Sequence, residues 1–244
     1  MKNDNDVFRE FRESLTGLNG NLHVLETSVP VEKQIEYFHY SEEVRKNNRD
    51  ESVDEQIDIL NSQDSSPEET KYAMAFLAIS GDVKAYRALE NYNREHKNNK
   101  GSLNDWAALS LLQAKITLES ELSDEKQVFI STGLGGEGHR LRFFSFFKSA
   151  GLKPFSDYQR ALIEKEIPYY IHKYRGILEE QKIEDVYFTI LYLIDLSVDI
   201  KNMLLDAINE CNQYGNFISN SFIITNVKIF NERDIRKELS KADE

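Results

Sequence analysis

A short glycine-rich segment holds the residue pattern with the clearest chemical potential in this sequence. Residues 129–144 (FISTGLGGEGHRLRFF) contain Gly133, Gly135 and Gly138 in the spacing G-x-G-x-x-G, directly after a short apolar run. In dinucleotide-binding proteins this spacing lets the backbone approach a pyrophosphate at the N-terminus of a helix. The function of this segment therefore depends on whether it opens a helix or turns between two strands.

The neighbours of the loop meet the requirements of a dinucleotide site poorly. Glu137 lies inside the loop, where its charge would repel a phosphate, and Asp157 lies at about the expected distance but in a loop that leads into a helix. We therefore expect no dinucleotide cofactor. A weaker site for an anionic small molecule stays open, because glycine-rich backbone and adjacent basic side chains can hold an anion. The alternative is that the basic side chains form the solvated face of a hairpin. The candidate ligand-binding residues are Gly133, Gly135, Gly136, Gly138, His139, Arg140 and Arg142.

The conformation of residues 139–149 (HRLRFFSFFKS) decides whether the glycine-rich segment opens a helix or turns between two strands. As a helix they would place Arg140 and Arg142 in the first turn, where the helix dipole disfavours positive charge, and phenylalanine has only modest helix propensity. As a strand they have the aromatic content typical of sheets, and the glycines before them suit a hairpin turn. We favour the strand, with the helix as the alternative, so the loop is expected to be a wide turn.

Composition and charge limit the classes of function. The chain has 244 residues, of which 40% are hydrophobic, and a net charge of −12. Residues 1–125 contain 14 basic and 25 acidic side chains, whereas residues 126–244 contain 16 and 17. An acidic surface repels nucleic acids and anionic membranes, and no apolar run approaches the ~20 residues of a membrane-spanning helix. We therefore expect no nucleic-acid and no membrane partner.

Other catalytic patterns are absent from the sequence. It contains no G-x-S-x-G, P-loop lysine or H-E-x-x-H motif, and its five histidines lack the spacing of metal ligands. The single cysteine, Cys211, rules out an intramolecular disulfide and lies on the apolar face of a predicted helix, as a core residue does. Because the first residues also lack the pattern of a secretory signal, we expect a cytoplasmic protein without catalytic residues, metal or cofactor.

The first half of the chain is predicted to consist of packed helices. The stretch SSPEETKYAMAFLAISGDVKAYRALENYNREH predicts two helices joined by a tight turn at Gly81, with Ser66 as the N-cap and Pro67 at the first helical position. The pairs Tyr72-Ala73 and Trp106-Ala107 lie 34 residues apart, which hints at a repeat of helix pairs.

Residues 72–92 (YAMAFLAISGDVKAYRALENY) resemble a HEAT-type repeat, in the alanine-rich first helix, the Gly-Asp turn and the second helix with its leucine. The resemblance covers about one repeat well and its neighbours loosely. It implies a short α-solenoid that is used for protein–protein contacts. An ordinary helical bundle is the alternative. Residues 1–122 are assigned to this acidic helical domain.

The second half, residues 123–244, changes to the two-residue period of strands. Strands are predicted in KQVFIST, in HRLRFFSFFKS, at 184–195 and at 217–230, and helices at 157–181, with a kink or a split at Pro168, and at 198–215. The order β-β-α-β-α-β predicts an α+β sandwich. Both faces of the strand VYFTILYLI are apolar, so both need a cover. The candidates for the second face are the helical half of the chain or a second copy of the protein.

These observations favour a non-catalytic interaction protein in the cytoplasm, with another protein or a second copy of itself as the partner. The alternative is a protein or enzyme that binds a nucleotide, a phosphate or another small anion. It would use the loop at 133–138 together with His139, Arg140 and Arg142.

Overall fold

The computed structural model describes residues 22–47, 51–96, 102–122 and 128–241. These residues fall into two units, one that ends at Ser131 and one that begins at Thr132. The first unit is built mainly from helices, and the second from an antiparallel sheet and helices. The predicted α+β class is therefore confirmed.

The described part of the first unit contains five helices and two short strands. They are β1 (Leu22–Val24), α1 (Val31–Lys46), α2 (Val53–Asn61), α3 (Pro67–Ile79), α4 (Val83–His96), α5 (Ser102–Leu122) and β2 (Val128–Ile130). β1 and β2 pair in parallel. The strand expected in KQVFIST therefore exists but pairs with β1 and not with the sheet of the second unit, because strand propensity identifies a strand and not its partner.

Local signals explain how α3 begins and ends. The Ser66 hydroxyl accepts a hydrogen bond from the Glu69 backbone N–H at 3.3 Å, and the Glu69 carboxylate accepts one from the Ser66 N–H at 2.8 Å. This reciprocal pair is a capping box, and Pro67 occupies the first helical position. Gly81 follows the helix with φ +67°, a conformation that favours glycine. The predicted cap and turn are both confirmed.

The core of the first unit combines small and aromatic side chains. The ring of Trp106 in α5 meets the ring of Tyr37 in α1 edge-on, with centroids 5.3 Å apart. The Tyr37 hydroxyl donates to Oε1 of Gln113 at 2.5 Å, and burial raises the pKa of Tyr37. Neighbouring helices approach α3 closely because three of its fully buried residues are alanines, Ala73, Ala75 and Ala78.

The described part of the second unit contains a five-stranded antiparallel sheet, three α-helices and one short 3-10 helix (Ala150–Leu152). Its strands are β3 (Gly136–Glu137), β4 (Arg140–Ser149), β5 (Ile177–Ile183), β6 (Tyr187–Asp195) and β7 (Ile218–Thr225), and its helices are α6 (Asp157–Lys173), α7 (Ile200–Asn212) and α8 (Glu232–Leu239). The strand order is β3-β4-β6-β5, and β7 also pairs with β4. The prediction that residues 139–149 form a strand is confirmed by β4.

The helix expected over 157–181 is shorter than predicted, and β5 follows it. α6 ends in a Schellman motif, in which the N–H groups of Arg175 and Gly176 donate to the carbonyls of His172 and Ile171, each at 2.9 Å. Arg175 takes the left-handed position with φ +60°. An arginine is uncommon there, so the sequence carried no clear stop signal before Gly176.

Pro168 lies inside α6 and does not split it, and the kink that was the other expected outcome stays a prediction. The predicted order of the strands and helices needs correction. The second unit has the order β-β-α-β-β-α-β-α, because β3, β5 and α8 were not predicted and the strand of KQVFIST lies in the first unit. The sequence of α8, ERDIRKEL, is mostly charged and offers only two apolar residues four positions apart, which is a weak signal for a packed helix.

The two faces of the sheet have different covers. Phe155, which precedes α6, packs against Phe188 on the face buried by α6 and α7. On the opposite face, Phe144 and Phe146 of β4 pack against Phe230 and the apolar residues of α8. The cover at this part of the second face therefore comes from within the sheet unit and is neither of the two candidates expected from the sequence.

Candidate functional site

The glycine-rich loop is a hairpin between β3 and β4. Gly136 and Glu137 pair with the first residues of β4, which leaves Gly138 and His139 as the two turn residues. Gly138 has φ +58°, and two-residue hairpin turns favour glycine at such a position. A dinucleotide fingerprint needs a helix where β4 begins, so this loop lacks the geometry of that site.

Two backbone N–H groups at the start of the loop are hydrogen-bonded within the protein. The Leu134 N–H donates to the carbonyl of Asn226 at 3.0 Å, and the Gly135 N–H donates to the carbonyl of Thr132 at 3.1 Å. An anion-binding nest needs successive N–H groups that point toward the ligand. These two amides instead donate to backbone carbonyls of the protein.

Gly133 packs against the chain segment that follows β7. A Cβ atom on this residue would overlap the backbone carbonyl oxygen of Val227. Glycine is therefore required here by the close approach of two backbone segments of the same unit.

Arg142 is held by neighbouring groups of the protein. Its Nε and Nη2 donate to the two carboxylate oxygens of Glu179 at 2.5 and 2.8 Å, and its Nη1 donates to the carbonyl of Leu134 at 2.8 Å. Bidentate pairs of this kind are the strong form of charge-assisted hydrogen bond, and these bonds raise the pKa of the Arg142 guanidinium. Arg142 thus balances Glu179 and fixes the start of the loop.

The other residues of the predicted site differ in their exposure to solvent. Gly135 and Gly136 are buried, whereas Gly138 and His139 are exposed and Arg140 is half-buried. The expectation of an anionic ligand at this loop therefore depends on His139 and Arg140, and for these two it stays a prediction.

A cavity at the other end of β4 contains a lysine that the sequence analysis did not identify. The cavity has a volume of about 430 Å³ and is lined by Phe146, Lys148, Ser221, Phe222, Ile223, Glu238 and Lys241. Lys148 is only 7% exposed, and its Nζ donates to the backbone carbonyl of Lys241 at 3.0 Å. The one signal in the sequence is the run FFSFFKS, in which a charged side chain interrupts an aromatic strand.

A second concave surface, the α1 groove, lies along the first helix. It has a volume of about 590 Å³ and is lined by residues of α1 together with Gln113 of α5. Val31, Ile35 and Phe38 lie on one side of α1, at the spacing of a helix face, and Ile35 is 54% exposed. Gln113 is fixed in the groove because its Oε1 accepts a hydrogen bond from Ser41 at 2.9 Å.

The described residues give little evidence for a metal site, a membrane-spanning helix or a reactive thiol. Within the ranges that the structure describes, no group of three or more His, Cys, Asp and Glu side chains is arranged to hold a metal ion. No helix among the described residues has the length and apolar character needed to cross a membrane. Cys211 is buried in α7, and burial raises the pKa of its thiol to about 12, so the reactive thiolate does not form near neutral pH. Its predicted place in the core is confirmed.

No protein-family model and no curated protein sequence matches this chain. Its function therefore has to be inferred from the surfaces and cavities described above.

Proposed function

We propose that this chain is a protein-interaction module whose helical unit binds an amphipathic helix of a partner protein in the α1 groove. The observation that carries the proposal is the apolar face of α1, where Val31, Ile35 and Phe38 line a groove of about 590 Å³. An amphipathic partner helix presents apolar side chains at matching intervals of one turn and fills such a groove with them. The half-exposed Ile35 is the natural centre of this contact.

The charge of the helical half indicates the chemistry of the partner. Residues 1–125 contain 25 acidic side chains against 14 basic ones. At the rim of the groove, the Glu42 carboxylate lies 3.9 Å from Nη1 of Arg45 and 3.8 Å from Nζ of Lys46. Both basic groups are therefore close to an acid of the same helix. A partner helix with a basic polar face would be attracted to this surface and oriented on it.

The packing of the helices supports the use of this unit for protein contacts. α3 and α4 are joined by the tight turn at Gly81, pack against each other and both contact α5. Stacked helix pairs of the HEAT type form extended surfaces that bind other proteins. We extend this role to the present chain and place it in the cytoplasm, where a protein with one buried cysteine needs no disulfide.

Site-specific photo-cross-linking tests the proposal. Benzoylphenylalanine is introduced at Ile35 and, as the matched control, at Val83 of α4, because these side chains are 54% and 56% exposed. In an extract of the source organism we expect one protein to be cross-linked from position 35 and not from position 83. Unlabelled wild-type chain should compete for this protein, and the Ile35→Glu variant should not.

Two outcomes would contradict the α1 groove as the binding surface. Labelling of the same proteins from both positions would indicate non-specific contact, and the absence of any cross-link from position 35 would leave the groove without a partner. A cross-link between two copies of the chain would replace the partner helix by a homodimer, which sedimentation equilibrium of the purified protein would verify.

A further inference from the structure

Strand β7 forms one edge of the sheet in the second unit. It pairs with β4 on one side, and no strand among the described residues pairs with it on the other side. Successive residues of a strand direct their N–H and C=O groups to opposite sides. Every second residue of β7 therefore points its backbone groups away from β4, in a row that another strand can hydrogen-bond.

The sequence around β7 lacks the features that usually protect an edge strand. Residues 211–227 (CNQYGNFISNSFIITNV) contain no charged side chain and no proline, although 30% of the whole chain is charged. Residues 222–225 (FIIT) are all half-buried, and we call them the β7 edge. The register shift in the pairing with β4 lies before residue 222, so the β7 edge itself is regular. It has the composition of a strand that pairs readily.

Strand β5, at the opposite edge of the same sheet, does have protective features. Glu179, Glu180 and Lys182 supply three charged side chains, and the carboxylate of Glu180 lies 2.7 Å from Nζ of Lys182. The pairing of β5 with β6 is also irregular between Leu178 and Glu180. Charges and bulges of this kind prevent an edge from pairing with another chain. The contrast indicates that the β7 edge is used for pairing and that β5 is not.

Exposed apolar side chains follow directly after β7. Val227 is 52% exposed and Ile229 is 47% exposed. They lie two and four residues beyond the β7 edge. The burial of such side chains by a partner would remove apolar surface from water, which favours association.

The charges of the two edges indicate which strand fits the β7 edge. Pairing with β5 of another copy would be head-to-tail and would continue into an open filament, and the charges of β5 oppose it. Pairing of two β7 edges about a two-fold axis perpendicular to the sheet is antiparallel, brings no charges together and closes as a dimer. The partner that fits is therefore a second copy of this chain.

We propose that the β7 edge pairs with the β7 edge of a second copy, so that the two sheets join into one continuous antiparallel sheet. This surface belongs to the second unit, whereas the α1 groove belongs to the first. The proposal therefore goes beyond the proposed binding of a partner helix and is tested independently of it.

Sedimentation equilibrium of the full chain tests the proposal. The wild type should form a dimer, and Ile224→Lys should weaken it about tenfold or more, because like charges then meet across the two-fold axis. Ile183→Lys, at a half-buried position of β5, is the matched control and should leave the dimer unchanged. Ile35→Glu should also leave it unchanged, and loss of the dimer in this variant would locate the contact in the α1 groove.

Hydrogen exchange of the wild-type chain provides a second measurement, which does not depend on the folding of any variant. In a monomer, only alternate amides of the β7 edge are hydrogen-bonded to β4, whereas in the dimer the remaining ones are bonded to the second copy. On dilution of the protein, alternate amides of residues 222–225 should therefore lose protection. The protection of the β5 amides should not change with concentration.

Four results would overturn the proposal. They are assemblies that grow beyond a dimer, a dimer that a folded Ile224→Lys variant forms as tightly as the wild type, and exchange at the β7 edge that is independent of concentration. The fourth is a chain that stays monomeric at every concentration, which would leave the β7 edge to a strand of another protein.

Discussion

Strand β4 carries basic side chains near both of its ends, and two of them, Arg142 and Lys148, lie in different surroundings. Arg142 and Lys148 are an even number of residues apart, so they project from the same face of the sheet, with Phe144 and Phe146 between them. Arg142 is occupied by the bidentate pair with Glu179 and by a loop carbonyl. Lys148 lines a cavity of about 430 Å³.

The difference shows that a basic side chain beside glycines can have its donors taken up by groups of the protein itself. Beside Arg142 the loop folds back on the sheet, and its own carbonyl at Leu134 takes up a donor of the guanidinium. Beside Lys148 the cover is α8, a helix of eight residues that meets the sheet through Ile235 and Leu239. The cavity lies beside this helix and has Glu238 of α8 in its lining.

The largest expected effect concerns the glycines of the loop. Gly133→Ala should lower the free energy of unfolding by about 3 kcal/mol, at the upper end of the overpacking range, because its Cβ meets backbone at Val227. Gly138→Ala should cost only about 1 kcal/mol for its positive φ, since nothing lies within 4 Å of the added Cβ. Urea denaturation measures both values. Equal losses would mean that the loop is not held by the contact at Val227.

An intermediate effect is expected from removal of the two basic groups. Arg142→Met should lower the free energy of unfolding by about 2 kcal/mol, because Glu179 and the Leu134 carbonyl lose charged hydrogen bonds. Lys148→Met should lower it by about 1 kcal/mol, because the Lys241 carbonyl loses a hydrogen bond while methionine retains the apolar stem of the side chain. Thermal and urea unfolding of both variants check this order. A larger loss for Lys148→Met would show that Lys148 is a structural residue, as Arg142 is.

The smallest effect is expected at the start of α8. The Asn231 side chain accepts a hydrogen bond from the Asp234 N–H at 3.0 Å, and Asn231→Ala should destabilise the helix by about 1 kcal/mol. Hydrogen exchange of the α8 amides should then become faster by about fivefold. Asn209→Ala, at an exposed position inside α7, is the control. Unchanged exchange in α8 would mean that its cover of the sheet does not depend on the cap.

The same helix has a pH dependence of known sign. The hydrogen bond from Lys228, with both Nζ–Oδ distances at 2.8 Å, lowers the pKa of Asp234 below its ordinary value of 3.8. A lowered carboxyl pKa contributes stability that is present above the ordinary value and is lost as the pH falls through the lowered one. The exchange protection of α8, corrected for intrinsic rates, should therefore be constant from about pH 7 to 5. In the Asp234→Asn variant, the exchange protection of α8 should fall less on acidification than in the wild-type chain, because this carboxylate is no longer present to be protonated.

Local signals explain the part of the fold that could be predicted. The capping box at Ser66, the left-handed Gly81 and the aromatic run of β4 each involve residues within a few positions of one another. The end of α6 was missed because the left-handed residue that follows a helix is usually glycine, whereas here it is Arg175. α8 was missed because its apolar contacts come from only two side chains.

The candidate site was less predictable than the fold for a related reason. The glycine-rich loop was correctly expected to lead into a strand and not into a helix, but the expected wide turn is wrong, because Gly136 and Glu137 form β3 and the turn is only Gly138 and His139. Neither the pairing of Arg142 with Glu179 nor the cavity at Lys148 follows from a local pattern. A lysine in an aromatic strand was visible in the sequence. Its burial was not, because burial depends on the helix that covers it.

The sequence by itself determined the class of fold, the caps and turns and the strand character of β4, because these depend on contacts between near neighbours in the chain. Only the tertiary structure decided the partner of β2, the cover of the second sheet face and the contrasting surroundings of Arg142 and Lys148. The physical reason is separation along the chain. Arg142 meets its carboxylate across 37 positions, and Lys148 meets the carbonyl of Lys241 across 93.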